Sequence, residues 1–177
     1  HVRSRRQRQM GIRDSYNVPS RTGVNIQPAT MARIAEIPNM AGIKDAGGNM
    51  SQTMEIFRFI RGKCDLYSGE DALNFPILAV GGSGVISVLS NVVPADVKKL
   101  YTLIKEGRTE EACALQDKLL PLSQACFLEV NPIPAKAAMN LLGFDAGTPR
   151  APLSEIEPNN KEKLRKAMSD YGLEIKA

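Results

Sequence analysis

From residue 17 to residue 93, short apolar runs alternate with stretches of helical periodicity, and beyond Pro94 only the helical pattern continues. This alternation restricts the chain more than any other feature. Strands separated by helices build parallel sheets with helices packed on their faces. Met40–Ile43, ending at Lys44, is a run of strand length bounded by Pro38 and by Gly47-Gly48. Cys64–Tyr67 and Gly84–Val88 read as two more, the last with β-branched Val85, Ile86 and Val88. Among the helical patterns, 28–37 carries Ala29, Met31, Ala32, Ile34 and Ala35 behind a first-turn proline. Asn49 or Ser51 is placed to cap a helix bearing Met54, Ile56, Phe57, Phe59 and Ile60, with Gly62 as its stop. Residues 72–80 predict a further helix, interrupted near Pro76 and closed by Gly81-Gly82. After Pro94 come four helical patterns, 95–106, 109–126, 134–142 and 160–171, with Gly107, Gly143 and Gly172 as stops. Three or four strands are too few to close a parallel barrel. The pattern therefore predicts half of a larger α/β fold, followed by a C-terminal helical extension.

Composition narrows the function classes. At 43% apolar and 24% charged residues, the 177-residue chain lies in the globular range and is long enough to bury a core. Arg3, Arg5, Arg6, Arg8 and Arg13 against Asp14 account for the whole formal charge of +4, so the body of the chain is neutral. A basic segment such as Arg3–Arg8 attracts phosphate backbones. With no aromatic residues beside it, a solvated terminus is the expectation, and nucleic acid is not an expected partner. No apolar run approaches the roughly 18 residues of a membrane span, and no apolar stretch follows the arginines as in a secretory signal. Cys64, Cys113 and Cys126 form an odd set without a close pair, which predicts a reducing, cytoplasmic setting. A lone histidine at position 1 and the lack of a CxxC motif predict no metal site. The chain begins with His rather than Met, and a fragment is expected.

Two segments carry reactive groups where a core would want none. Residues 16–23, Tyr-Asn-Val-Pro-Ser-Arg-Thr-Gly, are polar and turn-forming. Loops at the carboxyl ends of parallel strands are where α/β enzymes hold their sites. A phenol beside a guanidinium suits a proton-transfer group next to an anion clamp, while a proline-ordered surface turn with a structural tyrosine fits equally well. Lys44 alone among the lysines ends a short buried strand. Such an amine is a candidate nucleophile toward carbonyls; the alternative is a lysine snorkelling from the strand end or paired with Asp45. Gly81-Gly82-Ser83-Gly84 invites a phosphate-loop reading, but phosphate-binding glycines follow a strand and open a helix. Here they close a helix and enter a strand, so a tight turn is expected.

Five motifs then occur in order: YNVPSRTG at 16–23, GIKDAGGN at 42–49, SGEDA at 68–72, GVISV at 84–88 and NPIPAK at 131–136. Together they resemble the dihydrodipicolinate synthase (4-hydroxy-tetrahydrodipicolinate synthase) family of the pyruvate-dependent class I aldolase superfamily, from about Tyr16 to the C-terminus. The resemblance implies the second half of a (β/α)8 TIM barrel: residues 16–93 as strands five to eight, 94–177 as the last barrel helix and a helical region, and 1–15 as a basic segment unrelated to the family. It implies catalytic roles for Lys44, as the Schiff-base lysine for pyruvate, and for Tyr16, as proton relay. Arg21 is similar to the arginine that receives the carboxylate of aspartate semialdehyde, while Gly69 and Ile86 match positions lining the pyruvate pocket. It also implies a homo-oligomeric lyase of lysine and diaminopimelate biosynthesis, with no cofactor beyond the covalent imine on Lys44.

The departures are specific. Residues 9–15, Gln-Met-Gly-Ile-Arg-Asp-Ser, stand where the family has an apolar strand, and two charges and a glycine do not suit a strand buried on both faces. Gly47 stands where the family usually has Ser or Thr. The family's first four strands, with a threonine pair for the pyruvate carboxylate and a tyrosine supplied across a dimer interface, have no counterpart in the chain. Two other readings follow: a sugar-acid aldolase of the same superfamily, cleaving N-acetylneuraminate or keto-deoxy sugar acids with the same lysine, or a truncated half-barrel without activity.

Overall fold

Four short segments with alternating side-chain directions form one parallel sheet, and the turns and helices between them follow from the punctuation of the chain. The computed structural model describes residues 13–176; the basic segment Arg3–Arg8 and residues up to Ile12 lie outside the described residues. The strands are β1 (Arg13–Asn17), β2 (Met40–Asp45), β3 (Asp65–Ser68) and β4 (Gly84–Val85), in sheet order β1-β2-β3-β4 with every pair parallel. Between them lie α1 (Pro19–Thr22), α2 (Pro28–Ile34), α3 (Met50–Ile60), a 3-10 turn at Asp71–Leu73 and α4 (Asn74–Ala79). Asn49 caps α3 by accepting the Gln52 N–H at 3.1 Å, and Gly62 follows that helix in the left-handed region, at φ 78°. Gly81-Gly82 forms the expected helix-to-strand turn: a Cβ on Gly82 would come within 2.7 Å of the Ile77 carbonyl oxygen.

Strand β1 is the main departure from the sequence expectation. Arg13, Asp14 and Ser15, expected to lie outside the sheet, form its first three residues. Arg13 N–H donates to the Asn39 carbonyl at 3.0 Å, and Arg13 and Asp14 are exposed. The strand stands first in the sheet order, where a charged residue loses no burial. Strand β4 is shorter than its β-branched run suggests. Ile86 N–H still donates to Ser68 O at 2.8 Å, but Ser87 turns away: its Oγ accepts the Ser90 N–H and its carbonyl accepts the Ser90 hydroxyl, forming a 3-10 turn at Leu89–Asn91.

The chain divides into two compact units, the first ending at Ile86 and the second beginning at Ser87. In the first, Met31, Ile43, Ile56, Phe57, Ile60, Leu66 and Ile77 form the core between sheet and helices. In the second, α5 (Pro94–Lys105), α6 (Thr109–Ala125), α7 (Ile133–Leu141) and α8 (Pro158–Tyr171) bury Leu100, Leu103, Leu119, Leu122, Ala138, Leu141, Leu164 and Met168. The Tyr171 hydroxyl donates to Asp96 at 2.5 Å; burial, then this bond, push its phenol well above the usual range. No helix among the described residues is long and apolar enough to cross a membrane.

Ile56 is fully buried on the sheet-facing side of α3. Ile56→Ala is expected to destabilise the protein by about 2–5 kcal/mol, read as a lowered midpoint in urea denaturation followed by circular dichroism.

Candidate active site

Parallel register sets residues in rows across the sheet, and alternation sends successive rows to opposite faces. Ser15, Ile43 and Leu66 share one row, and Ile43 and Leu66 are closed off completely in the core beneath the helices. The next row is Tyr16, Lys44, Tyr67 and Gly84, on the face away from that core. Lys44 Nζ lies 4.1 Å from the centroid of the Tyr16 ring, with the cation against the aromatic face. Tyr16 is 49% exposed and Lys44 half-buried. Of the two alternatives to a nucleophilic Lys44, snorkelling and pairing with Asp45, the pairing does not occur, because Asp45 points to the opposite face and bonds to Asn17, Gly47 and Thr53.

Gly69 completes the immediate surroundings. Its N–H donates to the Asp45 carbonyl at 2.8 Å, which brings the turn after β3 directly beside β2. A Cβ there would lie 2.9 Å from both Cγ and Cε of Lys44, so the lysine occupies the space that any other residue would fill. Lys44, Tyr16 and Gly69 are thus brought together. Ile86, 44% exposed, sits at the end of β4, bonded through its backbone to Ser68. Arg21 lies in the last turn of α1, exposed, in the segment that follows β1. Both stand at the carboxyl edge of the sheet. Tyr67, unnoticed in the sequence, shares the row of Lys44; burial and the neighbouring Asp65 carboxylate raise its phenol above the usual value.

The sequence also gave no sign of the polar cluster beneath this row. Asn17 and Asp45 are 0% and 3% exposed. Asn17 Nδ2 donates to Asp45 Oδ1 at 3.0 Å and to Asn25 Oδ1 at 3.1 Å, while Asn17 Oδ1 accepts the Ile26 N–H at 2.9 Å. Asp45 Oδ1 also accepts the Gly47 N–H at 3.2 Å, and Oδ2 accepts the Thr53 hydroxyl from α3 at 2.5 Å. At Gly47, a Cβ would stand 3.1 Å from Asn17 Nδ2, so a larger residue requires this cluster to give slightly. Glu70 is close by. Burial first, then the carboxylates of Asp45 and Asp71, hold its acid group above the ordinary carboxylate range. Among the described residues, no group of three or more His, Cys, Asp or Glu side chains is arranged to hold a metal ion.

An amine, a phenol and an exposed guanidinium at the carboxyl edge of a parallel sheet suit carbonyl chemistry on an anionic substrate. Residues 15–171 match the model of the dihydrodipicolinate synthetase family. The chain belongs to this family. It is 49% identical over 161 residues to the 4-hydroxy-tetrahydrodipicolinate synthase of Caldicellulosiruptor bescii, covering 91% of this chain and 54% of the relative. The corresponding protein of Archaeoglobus fulgidus is 44% identical over 158 residues, covering 89% and 55%. Among solved structures, the dihydrodipicolinate synthase of Thermotoga maritima superposes with a TM-score of 0.89 at 40% identity, over 94% of this chain and 57% of that one. The chloride-inhibited dihydrodipicolinate synthase of Acinetobacter baumannii, solved in complex with pyruvate, gives 0.87 at 36% identity, over 91% and 55%. The chain spans about half the length of the relatives it matches.

Glu70 yields a pH prediction. Its folded pKa is raised above the unfolded value, so the folded state holds the proton more tightly. The associated stability is present below the ordinary carboxylate range and is lost as pH rises through the raised value. Glu70→Gln is expected to remove this decline and to gain stability relative to the parent as pH rises above the ordinary carboxylate range, measured by urea unfolding across a pH series.

Proposed function

We propose that the chain is the C-terminal half of a 4-hydroxy-tetrahydrodipicolinate synthase: strands five to eight of a (β/α)8 barrel with the C-terminal helical extension. Its reaction is the Schiff-base condensation of pyruvate with aspartate semialdehyde in lysine and diaminopimelate biosynthesis. The observation that carries this reading is the Lys44 amine lying over Tyr16, in the space left by Gly69, at the carboxyl end of a parallel strand. The names of the relatives support the same reaction, and the pyruvate in the Acinetobacter baumannii protein supports the first substrate.

In this mechanism the neutral Lys44 amine attacks the keto carbon of pyruvate. The carbonyl oxygen takes up protons and leaves as water, forming the imine. Tyr16 is the group beside the amine that moves these protons. The imine nitrogen then draws electrons from the adjacent methyl group, which loses a proton to give the enamine. The enamine carbon attacks the aldehyde of the second substrate, and the resulting alkoxide is protonated; the amine of that substrate then adds to the imine carbon, and Lys44 leaves as the free amine. Arg21 receives that substrate's carboxylate through its fork of N–H donors. Gly69 and Ile86 line the pyruvate side, Gly69 through its backbone. As in the family, the working form is a homo-oligomer.

Borohydride reduction in the presence of pyruvate tests this reading on the chain itself. One reduced pyruvate is expected on Lys44 by peptide mass spectrometry. Lys44→Ala is expected to lose the adduct, and Arg21→Ala to keep it, because Arg21 serves the second substrate. Gly69→Ala, which pushes against the lysine chain, is expected to slow labelling on the order of a hundredfold. Label spread over surface lysines, or unchanged in Lys44→Ala, would overturn the assignment.

A further inference from the structure

The polar cluster beneath Lys44 and Tyr16 has a geometry that goes beyond holding a strand end. Tyr16 and Lys44 lie side by side in register on β1 and β2, and the residue after each, Asn17 and Asp45, also lie side by side, on the opposite face. The Asn17–Asp45 hydrogen bond therefore ties the two strands together one residue beyond the reactive pair. Thr53 ties the same carboxylate to α3, and the Gly47 N–H ties it to the turn that follows β2. The backbone repeats this bracing, since Ala46 N–H donates to Asn17 O at 2.9 Å and Gly69 N–H to Asp45 O at 2.8 Å.

We propose that Asp45 is a positioning residue for the imine-forming step: bonded to Asn17, Gly47 and Thr53, its buried carboxylate sets the distance and direction between the Lys44 amine and the Tyr16 ring. The proposal rests on the Schiff-base reading of Lys44 and adds to it a residue that never touches substrate. Three donors from three segments converge on one carboxylate, and losing any one leaves the others aimed at a displaced partner. Each strand end then rotates, and side chains on the far face swing with it. A displacement of about 1 Å in a reacting group costs on the order of a hundredfold in rate. The cluster is thus coupled to the chemistry through the backbone.

Thr53→Val removes one donor while keeping shape, and Thr53→Ser restores the hydroxyl. Asp45→Ala removes the acceptor from all three donors. Two readouts separate the proposal from the reading beneath it. The first is the rate of borohydride-trapped pyruvate adduct on Lys44 across pyruvate concentrations. Its saturating rate is expected to fall on the order of tenfold in Thr53→Val and a hundredfold in Asp45→Ala, to return in Thr53→Ser, and to fall by more than the half-saturating concentration changes. The second needs no pyruvate. The Lys44 side-chain NMR signals, assigned by their loss in Lys44→Ala, are expected to carry an upfield ring-current shift from Tyr16. That shift should shrink in Thr53→Val and return in Thr53→Ser, with circular dichroism unchanged in both. A parent chain with no adduct would sink the Schiff-base reading and leave the NMR arm to judge the positioning. An unchanged Lys44 shift in Thr53→Val would overturn the positioning role. So would equal losses of trapping rate in Thr53→Val and Thr53→Ser. Should Asp45→Ala fail to fold, the Thr53 pair alone decides.

Discussion

A carboxylate closed off from water has to be met by donors, and Asp45 is met by three. An unpartnered charge at that depth costs several kcal/mol even after relaxation. The donors come from β1, from the turn after β2 and from α3, so the carboxylate is satisfied only when all three segments are in place. Strand β1 cannot slip by a residue against β2 without breaking this arrangement. A slip would send Asn17 to the open face and carry Tyr16 into the core. The register that pairs Tyr16 with Lys44 is therefore protected by the polar cluster as well as by the backbone ladder. The apolar core contributes little to this choice on β1, whose residues are mostly exposed.

The two faces of the sheet have opposite chemistry. Beneath the helices, Ile43 and Leu66 join Met31, Ile56 and Ile77 in a dry core of well-packed aliphatic groups. On the other face stand Tyr16, Lys44 and Tyr67, with Asp14 and Asp65 in the row before them. That face carries charge and hydroxyl groups, with Tyr67 donating to Asp65 at 3.3 Å and Ser83 donating to it at 2.6 Å. Stability is built on one face and reactive groups on the other, so the first does not depend on filling the second.

Much of the secondary structure was legible in the sequence because it depends on local signals. Glycines at 62, 107, 143 and 172 end helices in the left-handed conformation, and the apolar residues predicted for α3 include the three that reach the core, Ile56, Phe57 and Ile60. Strand β1 was not legible, since its pattern of Arg, Asp and Ser is tolerated only where the strand is exposed, and exposure is a property of the sheet. The shortening of β4 was hidden as well: Val85, Ile86 and Val88 promise a longer strand, and a turn bonded through Ser87 overrides them. At the site, Lys44 and Tyr16 stood out by residue type and motif. Asp45 did not, because its partners lie 8 and 28 residues away in sequence. Adjacency in the sequence suggested pairing with Lys44, whereas strand alternation forbids it. Tyr67 escaped for a related reason, since only register reveals that it shares a row with Lys44.

Space on the open face is allotted by pairing large residues with glycine. The methylenes of Lys44 lie where a Cβ of Gly69 would be. The ring of Tyr67 spreads over both neighbouring strands: a Cβ on Gly42 would come 3.1 Å from it on one side, and one on Gly84 3.3 Å from it on the other. Long side chains on a flat parallel sheet ordinarily stand upright and compete for room with their lateral neighbours. Glycine on the adjacent strand or turn lets them lean instead, which narrows their direction. Lys44 therefore receives its orientation from two independent sources: the space over Gly69, which sets where its chain lies, and the braced strand ends, which set where that chain begins. A nucleophile held in this way rests against the face of the Tyr16 ring rather than in a hydrogen bond to a carboxylate, so its approach to a carbonyl carbon requires no ion pair to be broken.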